Sequence, residues 1–336
     1  MSNTNLTKNR ITEIAQAAGV SIATVSRVTN HRNLVAQETR EKVIKAAESL
    51  GYTLKQPAPK KSEHALKCIL VGVPFIDDIF FGTVINGIEA SAKRHGYNLI
   101  ISKDLAFYKR ADEALAVFDA TKACGMILLR NYLPPDDMKA IARKAPVVQC
   151  CDVDTDAGVS TVGIDDALAA KRMTEYLIST GKRRIAFISS EYRIKHIRQR
   201  EKGFLDALEA NGLSVHPSHI IQLHDTTYDS ALSATTQLFS IAERPDAVFA
   251  SSDLYAAAVL KAAKNMNLAV PDDVAISGFD NTIISQISDP SITTVNQPRY
   301  QMGYIAFEQL IEQLNTPHLQ PQNITLDTEL VIRQST

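Results

Sequence analysis

Apolar residues in the first part of the chain recur with the spacing of short helices. In the range 11–18 they fall at i, i+3, i+4 and i+7, which is one face of a helix. Gly19 interrupts this pattern, and Ser21 is a natural N-cap for a second helix running to about Thr29. A third helix ends at Gly51 and carries its core stripe on Val43, Ile44, Ala47 and Leu50.

The second predicted helix separates apolar from small and polar side chains. Val25 and Val28 turn inward, and the opposite side carries Ile22, Ala23, Ser26 and Arg27. Two helices joined by a tight glycine turn, with an arginine on the second, are typical of a helix-turn-helix DNA reader. An ordinary three-helix bundle with a solvated Arg27 is the alternative.

From Lys67 onward, apolar strands alternate with helices. Continuous apolar strands of this kind indicate parallel sheets covered on both faces. Two successive runs of about four strands each predict two doubly wound subdomains. The strands are CILVGVP, NLIIS, GMILLR and PVVQCC, followed by RIAFISS, IIQLHD, AVFASSD and VAISGFD.

Parallel sheets bind ligands at the carboxyl ends of their strands, so residues just past those ends are candidates for a cleft site. Two aromatic residues, one arginine and two aspartates meet this criterion: Phe80, Phe81, Arg200, Asp253 and Asp280. Together they offer hydrogen bonds and ring surfaces to a polyhydroxylated ligand. Taken singly, each has a structural alternative: core packing for the phenylalanines, helix capping for the aspartates and a surface ion pair for Arg200.

Charge divides the chain into a basic head and an acidic body. Residues 1–61 hold ten Lys and Arg against four Glu, and the remainder holds 26 basic against 33 acidic residues. The imbalance favours nucleic acid as the partner of the head alone. Hydrophobic content of 45% with 22% charged residues is typical of a globular protein with a sizeable core.

Several other classes of protein fit the sequence poorly. The polar amino terminus and the lack of a long apolar run favour a cytoplasmic protein without a membrane segment. The four cysteines form no CxxC pair, and we expect reduced core thiols without a metal. Asp152, Asp154 and Asp156 resemble a calcium loop, but the turn glycine and the final glutamate are missing, which predicts a solvated turn. No phosphate-binding glycine loop or nucleophile elbow occurs, so neither a cofactor nor an enzyme is expected.

The range 11–52 resembles the amino-terminal domain of the LacI/GalR family of bacterial transcription regulators. The resemblance rests on A15, A18–S21, T24–V28, N30, T39–R40, V43 and L50–Y52. It implies that Ile22 and Ala23 read bases by apolar contact and that Arg27 donates hydrogen bonds to a base. The third helix usually opens on a serine, which is Ala36 here, so weaker capping is expected. The DNA-binding residues implied are Ser21, Ile22, Ala23, Thr24, Ser26, Arg27 and Asn30.

The body resembles the periplasmic-binding-protein-like core of the same family, and the resemblance covers essentially the whole chain. It is carried by segments such as GKRRIAFI, RQREKGFLDAL, VAISGFDN and TTVNQPRYQMG, and within the family it is most similar to the cytidine-repressor branch. It implies that Arg200, Asp253 and Asp280 contact an effector and that Phe80 and Phe81 stack on it. On the other side of the expected cleft, Thr226 stands where the family often has an aromatic residue. Tyr228, two residues further on, is therefore the candidate stacking residue there. The family's cleft aspartate is also displaced, since Cys151 takes its place and Asp152 follows.

These patterns predict an all-α helix-turn-helix head at 1–53, a Pro/Lys-rich hinge at 54–66 and an α/β periplasmic-binding-protein-like core at 67–336. The first core subdomain is expected at about 67–161 and 294–324, and the second at about 162–293 and 325–336. Pro57 and Pro59, and the lack of a leucine between Lys55 and Ala65 that could wedge into the minor groove, argue against the hinge helix that the resemblance implies. The expected function is a homodimeric repressor of double-stranded operator DNA controlled by a nucleoside or, second, a sugar. A solute-binding protein is the alternative.

Replacing Arg27 with alanine should weaken operator binding by about 1–3 kcal/mol and relax specificity at one base pair. The reason is the loss of a two-donor side chain from the reading face. A selection from randomised sites measures both effects, and an unchanged base preference would refute the assignment of Arg27.

Overall fold

The computed structural model describes residues 4–30, 35–52, 66–190, 194–316 and 319–336. Contacts divide the chain into two compact units, and the boundary along the sequence falls between Leu66 and Lys67. The predicted hinge lies almost wholly outside the described residues. No helix of the described part is both long and apolar enough to cross a membrane.

The head contains three helices: α1 (Thr4–Ala18), α2 (Ile22–Asn30) and α3 (Gln37–Ser49). Their buried apolar side chains pack together as Ile14, Ala15, Val25, Val28, Val43 and Ala47. Helix α1 begins seven residues before the predicted Ile11, because its first turns lack an apolar stripe that would mark them. Leu50 was wrongly predicted as core; it is exposed because α3 ends at Ser49, and Ala46 is buried on that face instead.

The helix ends in the head follow from local chemistry. Gly19 adopts φ +63°, a left-handed conformation that glycine reaches without steric cost, and so turns the chain between α1 and α2. Ser21 Oγ then accepts a hydrogen bond from the backbone N–H of Thr24 at 3.1 Å. Ala36, as predicted, gives α3 no side-chain cap.

The first subdomain of the core has one sheet with helices on its faces. Its strands are β1 (Cys68–Gly72), β2 (Asn98–Ser102), β3 (Gly125–Leu128), β4 (Val147–Cys150), β5 (Ser160–Ile164) and β11 (Asn323–Leu326). Its helices are α4 (Ile79–Arg94), α5 (Ala111–Thr121), α6 (Pro135–Ala142) and α12 (Arg299–Asn315). The described strands run in the order β11-β5-β4-β3-β1-β2, and all pairs are parallel.

The second subdomain repeats this plan. Its strands are β6 (Ile185–Ser189), β7 (Ile220–Gln222), β8 (Ala247–Ala250), β9 (Ala275–Asp280), β10 (Thr293–Asn296) and β12 (Glu329–Val331). Its helices are α7 (Asp166–Ser179), α8 (Lys195–Ala210), α9 (Tyr228–Phe239), α10 (Asp253–Asn265) and α11 (Ile283–Ile287). The order is β12-β10-β9-β8-β6-β7, parallel except for β12.

The predicted fold class is confirmed, but each sheet has six described strands and not four. The strands that sequence reasoning missed are β5, β10, β11 and β12. Strands β5 and β10 are rich in Ser and Thr, so they lack the continuous apolar run of a buried strand. Strands β11 and β12 lie at sheet edges and are only partly buried.

The chain crosses between the subdomains three times, and each crossing lies beyond the predicted boundary. The expected boundaries at 161/162, 293/294 and 324/325 fall inside β5, β10 and β11, each of which stays within one sheet. The crossings therefore follow Ile164, Asn296 and Leu326. The positions of the crossings depend on which strands pair with each other, and the apolar pattern of a strand does not reveal its partners.

Helices α4 and α12 approach so closely that only glycine fits at their contact. A Cβ on Gly87 would lie 2.0 Å from the carbonyl oxygen of Tyr300, and one on Gly303 would lie 2.0 Å from that of Val84. In the second subdomain a Cβ on Gly203 of α8 would meet the carbonyl oxygen of Ala167 at the same 2.0 Å. Each subdomain thus has one pair of helices held at backbone contact.

Replacing Gly87 with alanine should destabilise the core by about 1–3 kcal/mol, because the added methyl group overpacks against rigid backbone. Gly82, in the same helix, has no atom within 4 Å of the place that a Cβ would take. Gly82→Ala is therefore the matched control and should stabilise the helix by about 0.5–1 kcal/mol. Urea denaturation of both variants measures the difference, and equal effects would contradict the close approach.

Candidate functional site

The face of the head that the sequence predicts to read DNA lies on α2. Ile22 is 52% exposed, and Ala23, Ser21 and Arg27 line the same side, whereas Val25 and Val28 are fully buried. The structure therefore separates the two faces as the sequence predicted. Of the other predicted DNA contacts, Thr24 and Ser26 lie on the flanks of this face, and the side chain of Asn30 lies outside the described residues.

The hydroxyl groups at the start of α2 are already engaged. Ser21 Oγ lies 2.8 Å from Thr24 Oγ1 in addition to capping the helix. The apolar Ile22 and Ala23 and the cationic Arg27 therefore provide the chemistry of this face. Such a face can meet a thymine methyl group and the acceptor atoms of a guanine.

The core holds a cavity of about 400 Å³ lined by residues from both subdomains. In each sheet the strand order reverses direction at one point, between β1 and β3 in the first and between β6 and β8 in the second. Residues that follow all four of these strands line the cavity, including Phe75, Arg130, Ser190 and Ser251. A crevice beside such reversal points is the general ligand position in open parallel sheets.

The structure brings five of the six predicted effector residues to this cavity: Phe80, Phe81, Arg200, Asp253 and Asp280. Their role in binding stays a prediction. Tyr228 is placed elsewhere, since it packs against the apolar core around α9 and α10. Thr226 and Thr227 line the cavity at that point instead.

Arg200 is anchored by its own subdomain. Its Nε donates to Asp166 Oδ1 at 2.8 Å and its Nη1 to the carbonyl oxygen of Ser251 at 2.7 Å. The guanidinium also lies 3.6 Å from the ring centre of Phe279, and Nη1 is 3.7 Å from Asp280 Oδ1. Arg200 is only 6% exposed, which rules out the surface ion pair that the sequence left open.

Asp253 is held by the protein on both carboxylate oxygens. Oδ2 accepts from the backbone N–H and the hydroxyl of Thr282 at 2.5 and 2.9 Å, and Oδ1 accepts from the Thr294 hydroxyl at 2.6 Å. The N-cap of α10 is Ser252, so Asp253 does not take the capping role that the sequence allowed. Its carboxylate joins the segment after β9 to β10 and shapes the cavity wall.

Asp280 connects the cavity to a crossing between the subdomains. Its Oδ1 accepts a hydrogen bond at 2.7 Å from Nε2 of Gln297, which directly follows β10 at the second crossing. Burial raises the pKa of the Asp280 carboxyl well above its ordinary value, and the charge of Arg200 opposes this rise. Asp280 also has φ +103°, a strained backbone angle for a residue with a side chain.

On the first-subdomain side of the cavity, sequence reasoning selected Phe80 and Phe81 but did not select the buried polar residues Asp152 and Arg130. Asp152, predicted as a solvated turn, is 9% exposed and accepts from the backbone N–H of His196 at 3.4 Å, with His196 Nδ1 at 3.3 Å. Burial alone would raise the pKa of Asp152, but the His196 hydrogen bonds and the charge of Arg130 outweigh it and lower the pKa. Arg130 is 7% exposed and lies 5.3 Å from the ring centre of Phe75. Their position in the sequence could have identified Asp152 and Arg130 as cavity residues, because both closely follow an apolar strand.

The cysteines are free thiols, and two of them lie beside the cavity. Cys150 Sγ and Cys151 Sγ are 3.6 Å apart, and Cys151 lines the cavity wall. Burial raises the pKa of the Cys151 thiol, so this residue is protonated at neutral pH and a poor nucleophile.

Because of Asp253, the free energy of unfolding should fall as the pH rises from about 4 to about 6. Burial raises the pKa of its carboxyl to about 6 from an ordinary 3.8, so the folded state binds this proton more tightly than the unfolded state. Asparagine does not titrate, so the free energy of unfolding of Asp253→Asn relative to that of the wild type should increase by up to about 3 kcal/mol as the pH rises over this range. Chemical denaturation at several pH values measures this difference. The exposed Asp136→Asn is the control, and a difference independent of pH would contradict the prediction.

Comparison with known proteins places this arrangement in a family. Residues 10–54 match the model for bacterial regulatory proteins of the lacI family, and residues 174–336 match that for a periplasmic binding protein-like domain. The HTH-type transcriptional repressor CytR of Escherichia coli K12 is 36% identical over 327 residues, covering 96% of this chain and 95% of the relative. Catabolite control protein A of Priestia megaterium is 32% identical over 329 residues, covering 97% and 98%.

A solved structure of a ligand complex matches nearly the whole chain as well. The complex of the transcriptional regulator CelR with cellobiose has a TM-score of 0.71 and 27% identity, covering 97% of this chain and 99% of that one. The head and the core each match a family model, and the relatives match nearly the full length of the chain. The chain belongs to the LacI family of bacterial regulatory proteins.

Proposed function

We propose that this protein is a cytoplasmic, homodimeric repressor whose affinity for operator DNA is set by a nucleoside bound in the cavity of the core. The observation that carries this proposal is a cavity walled by both core subdomains in a chain that also has an exposed reading helix. A solute-binding protein without DNA function is not favoured, because such a protein has no use for that helix.

Dimerisation follows from how a helix-turn-helix reads DNA. One α2 contacts a few base pairs of one half-site, so two heads related by a two-fold axis read a nearly palindromic operator. Ile22 and Ala23 would favour a thymine beside the base pair that Arg27 contacts. Phosphate contacts by the basic head add affinity that does not depend on sequence.

The cavity offers ring surfaces on its first-subdomain side and hydrogen-bonding groups on both sides. Phe75 and Phe80 supply ring surfaces in the first subdomain, and Asp280 and Arg200 lie in the second. A nucleoside has a flat base and a ribose with hydroxyl groups that both donate and accept, so it matches these two walls. A sugar is the second candidate, since the similar CelR structure holds cellobiose.

Effector binding would act through the crossings. A ligand touching both walls stabilises one relative position of the subdomains, and the three connecting segments allow that position to change. The dimer would convert this change into a different spacing of its two heads. Because coupling is reciprocal, operator and effector must alter each other's affinity by the same factor, typically worth about 1–3 kcal/mol.

A panel of nucleosides and sugars in a thermal-shift assay, followed by operator titration with and without the best ligand, tests the proposal. We expect a nucleoside to stabilise the full-length protein by about 2.7 kcal/mol at a hundredfold excess over Kd. We also expect it to change operator affinity by about 5- to 150-fold. A ligand that binds without any change in operator affinity would overturn the regulatory role, and a shift with sugars alone would replace the effector class.

A further inference from the structure

Arg130 is the one cavity arginine whose hydrogen-bonding capacity is unused among the described residues. Its Nε is buried and has no hydrogen-bond partner, and its guanidinium has no carboxylate of a described residue within ion-pair distance. Arg200, by contrast, is occupied by Asp166 and Ser251. A buried donor left without a partner is costly, so such a group in a cavity wall indicates a ligand acceptor.

The fold gives Arg130 a fixed position. It lies two residues after the end of β3, at the point where the first sheet reverses its strand order, and the preceding Leu129 is fully buried. Phe75, which follows β1 at the same reversal point, lies under the guanidinium at 5.3 Å. A ring at this distance attracts the cation, and the guanidinium carries its donors in one flat row.

The charges around the cavity favour a neutral partner for these donors. Six carboxyl groups line it, against two guanidinium groups and one imidazole. The carboxyl groups belong to Asp77, Asp78, Asp152, Asp166, Asp253 and Asp280. Asp152, whose pKa is lowered in part by the charge of Arg130, keeps its negative charge and would repel a phosphate or carboxylate bound at Arg130. Two adjacent neutral acceptors in one plane would fit the guanidinium fork.

We propose that Arg130 determines effector specificity by donating two hydrogen bonds to a pair of adjacent acceptors on a nucleobase edge. This inference rests on the nucleoside proposed above. Cytosine offers such a pair at O2 and N3, and guanine and hypoxanthine offer one at O6 and N7. Uracil carries a donor at N3, and adenine carries an amino group beside N7, so neither presents the pair.

Isothermal titration of the full-length protein with two matched pairs of nucleosides tests this assignment. Cytidine against uridine, and inosine against adenosine, change an acceptor on the reading edge into a donor. In at least one pair we expect the first member to bind about 10- to 100-fold more tightly. The compound 3-deazacytidine, which lacks the N3 acceptor, should bind like uridine if cytidine is the preferred ligand.

Arg130→Ala should reduce the preference within that pair to about one, and Arg130→Lys should restore only part of it because lysine lacks the planar fork. The control is Arg143→Ala, an equal loss of charge at an exposed site in the same subdomain and outside the cavity, which should keep the preference. Thermal unfolding of each variant without ligand separates a folding defect from a loss of specificity. The ratio within a pair is informative because a purely structural role would weaken both members equally.

Three results would overturn the role of Arg130. Retention of the preference in Arg130→Ala would remove the role while leaving the nucleoside effector intact. Tighter binding of cytidine 5′-monophosphate than of cytidine, lost with Arg130, would show that the fork holds a phosphate. Binding of no nucleoside by the wild type would overturn both this role and the proposed effector class.

Discussion

The buried guanidinium of Arg200 fixes the second wall of the cavity. It joins Asp166 at the start of α7, the carbonyl oxygen of Ser251 after β8 and the ring of Phe279 in β9. A charge removed from water in this way is tolerated only when its donors are matched, and loss of one partner leaves the other buried and uncompensated. The elements that meet at the reversal point of the second sheet are therefore held in one arrangement before any ligand arrives.

The opposite wall is built differently. Arg130 lies at the corresponding reversal point of the first sheet, yet its guanidinium lies over a ring and its buried Nε has no hydrogen-bond partner among the described residues. Of the two arginines that line the cavity, Arg200 therefore joins elements of the protein, whereas the donors of Arg130 are available to a ligand. If Arg130 has the role proposed for it, the second subdomain holds the fixed wall of the cavity and the first supplies the group that selects the ligand.

The second-subdomain wall is connected to two of the crossing segments. Gln297, at the second crossing, donates to Asp280, and Asp165, at the first crossing, caps α7 by accepting a hydrogen bond from the backbone N–H of Leu168. Within each subdomain, helices at backbone contact leave little room for internal adjustment. Movement is therefore expected mainly between the subdomains, which is the motion that the proposed regulation requires.

The sequence by itself determined the class of the fold and the reading face of the head. Periodicity is a local property, so the burial of Val25 and Val28 and the exposure of Ile22 could be inferred from spacing alone. The same holds for the eight strands with continuous apolar runs. Position after a strand was enough to select Arg200 and Asp280, because carboxyl ends of parallel strands share one edge.

Only the tertiary structure decided the remaining assignments. The partners of β5, β10 and β11, and hence the crossings, depend on pairing between segments far apart in the chain. Whether a polar side chain is occupied depends equally on distant residues: Thr282 and Thr294 engage Asp253, while Arg130 has no described hydrogen-bond partner. Sequence spacing specifies which residues reach the cavity, but the availability of their donors and acceptors is a property of neighbours that only the folded chain brings together.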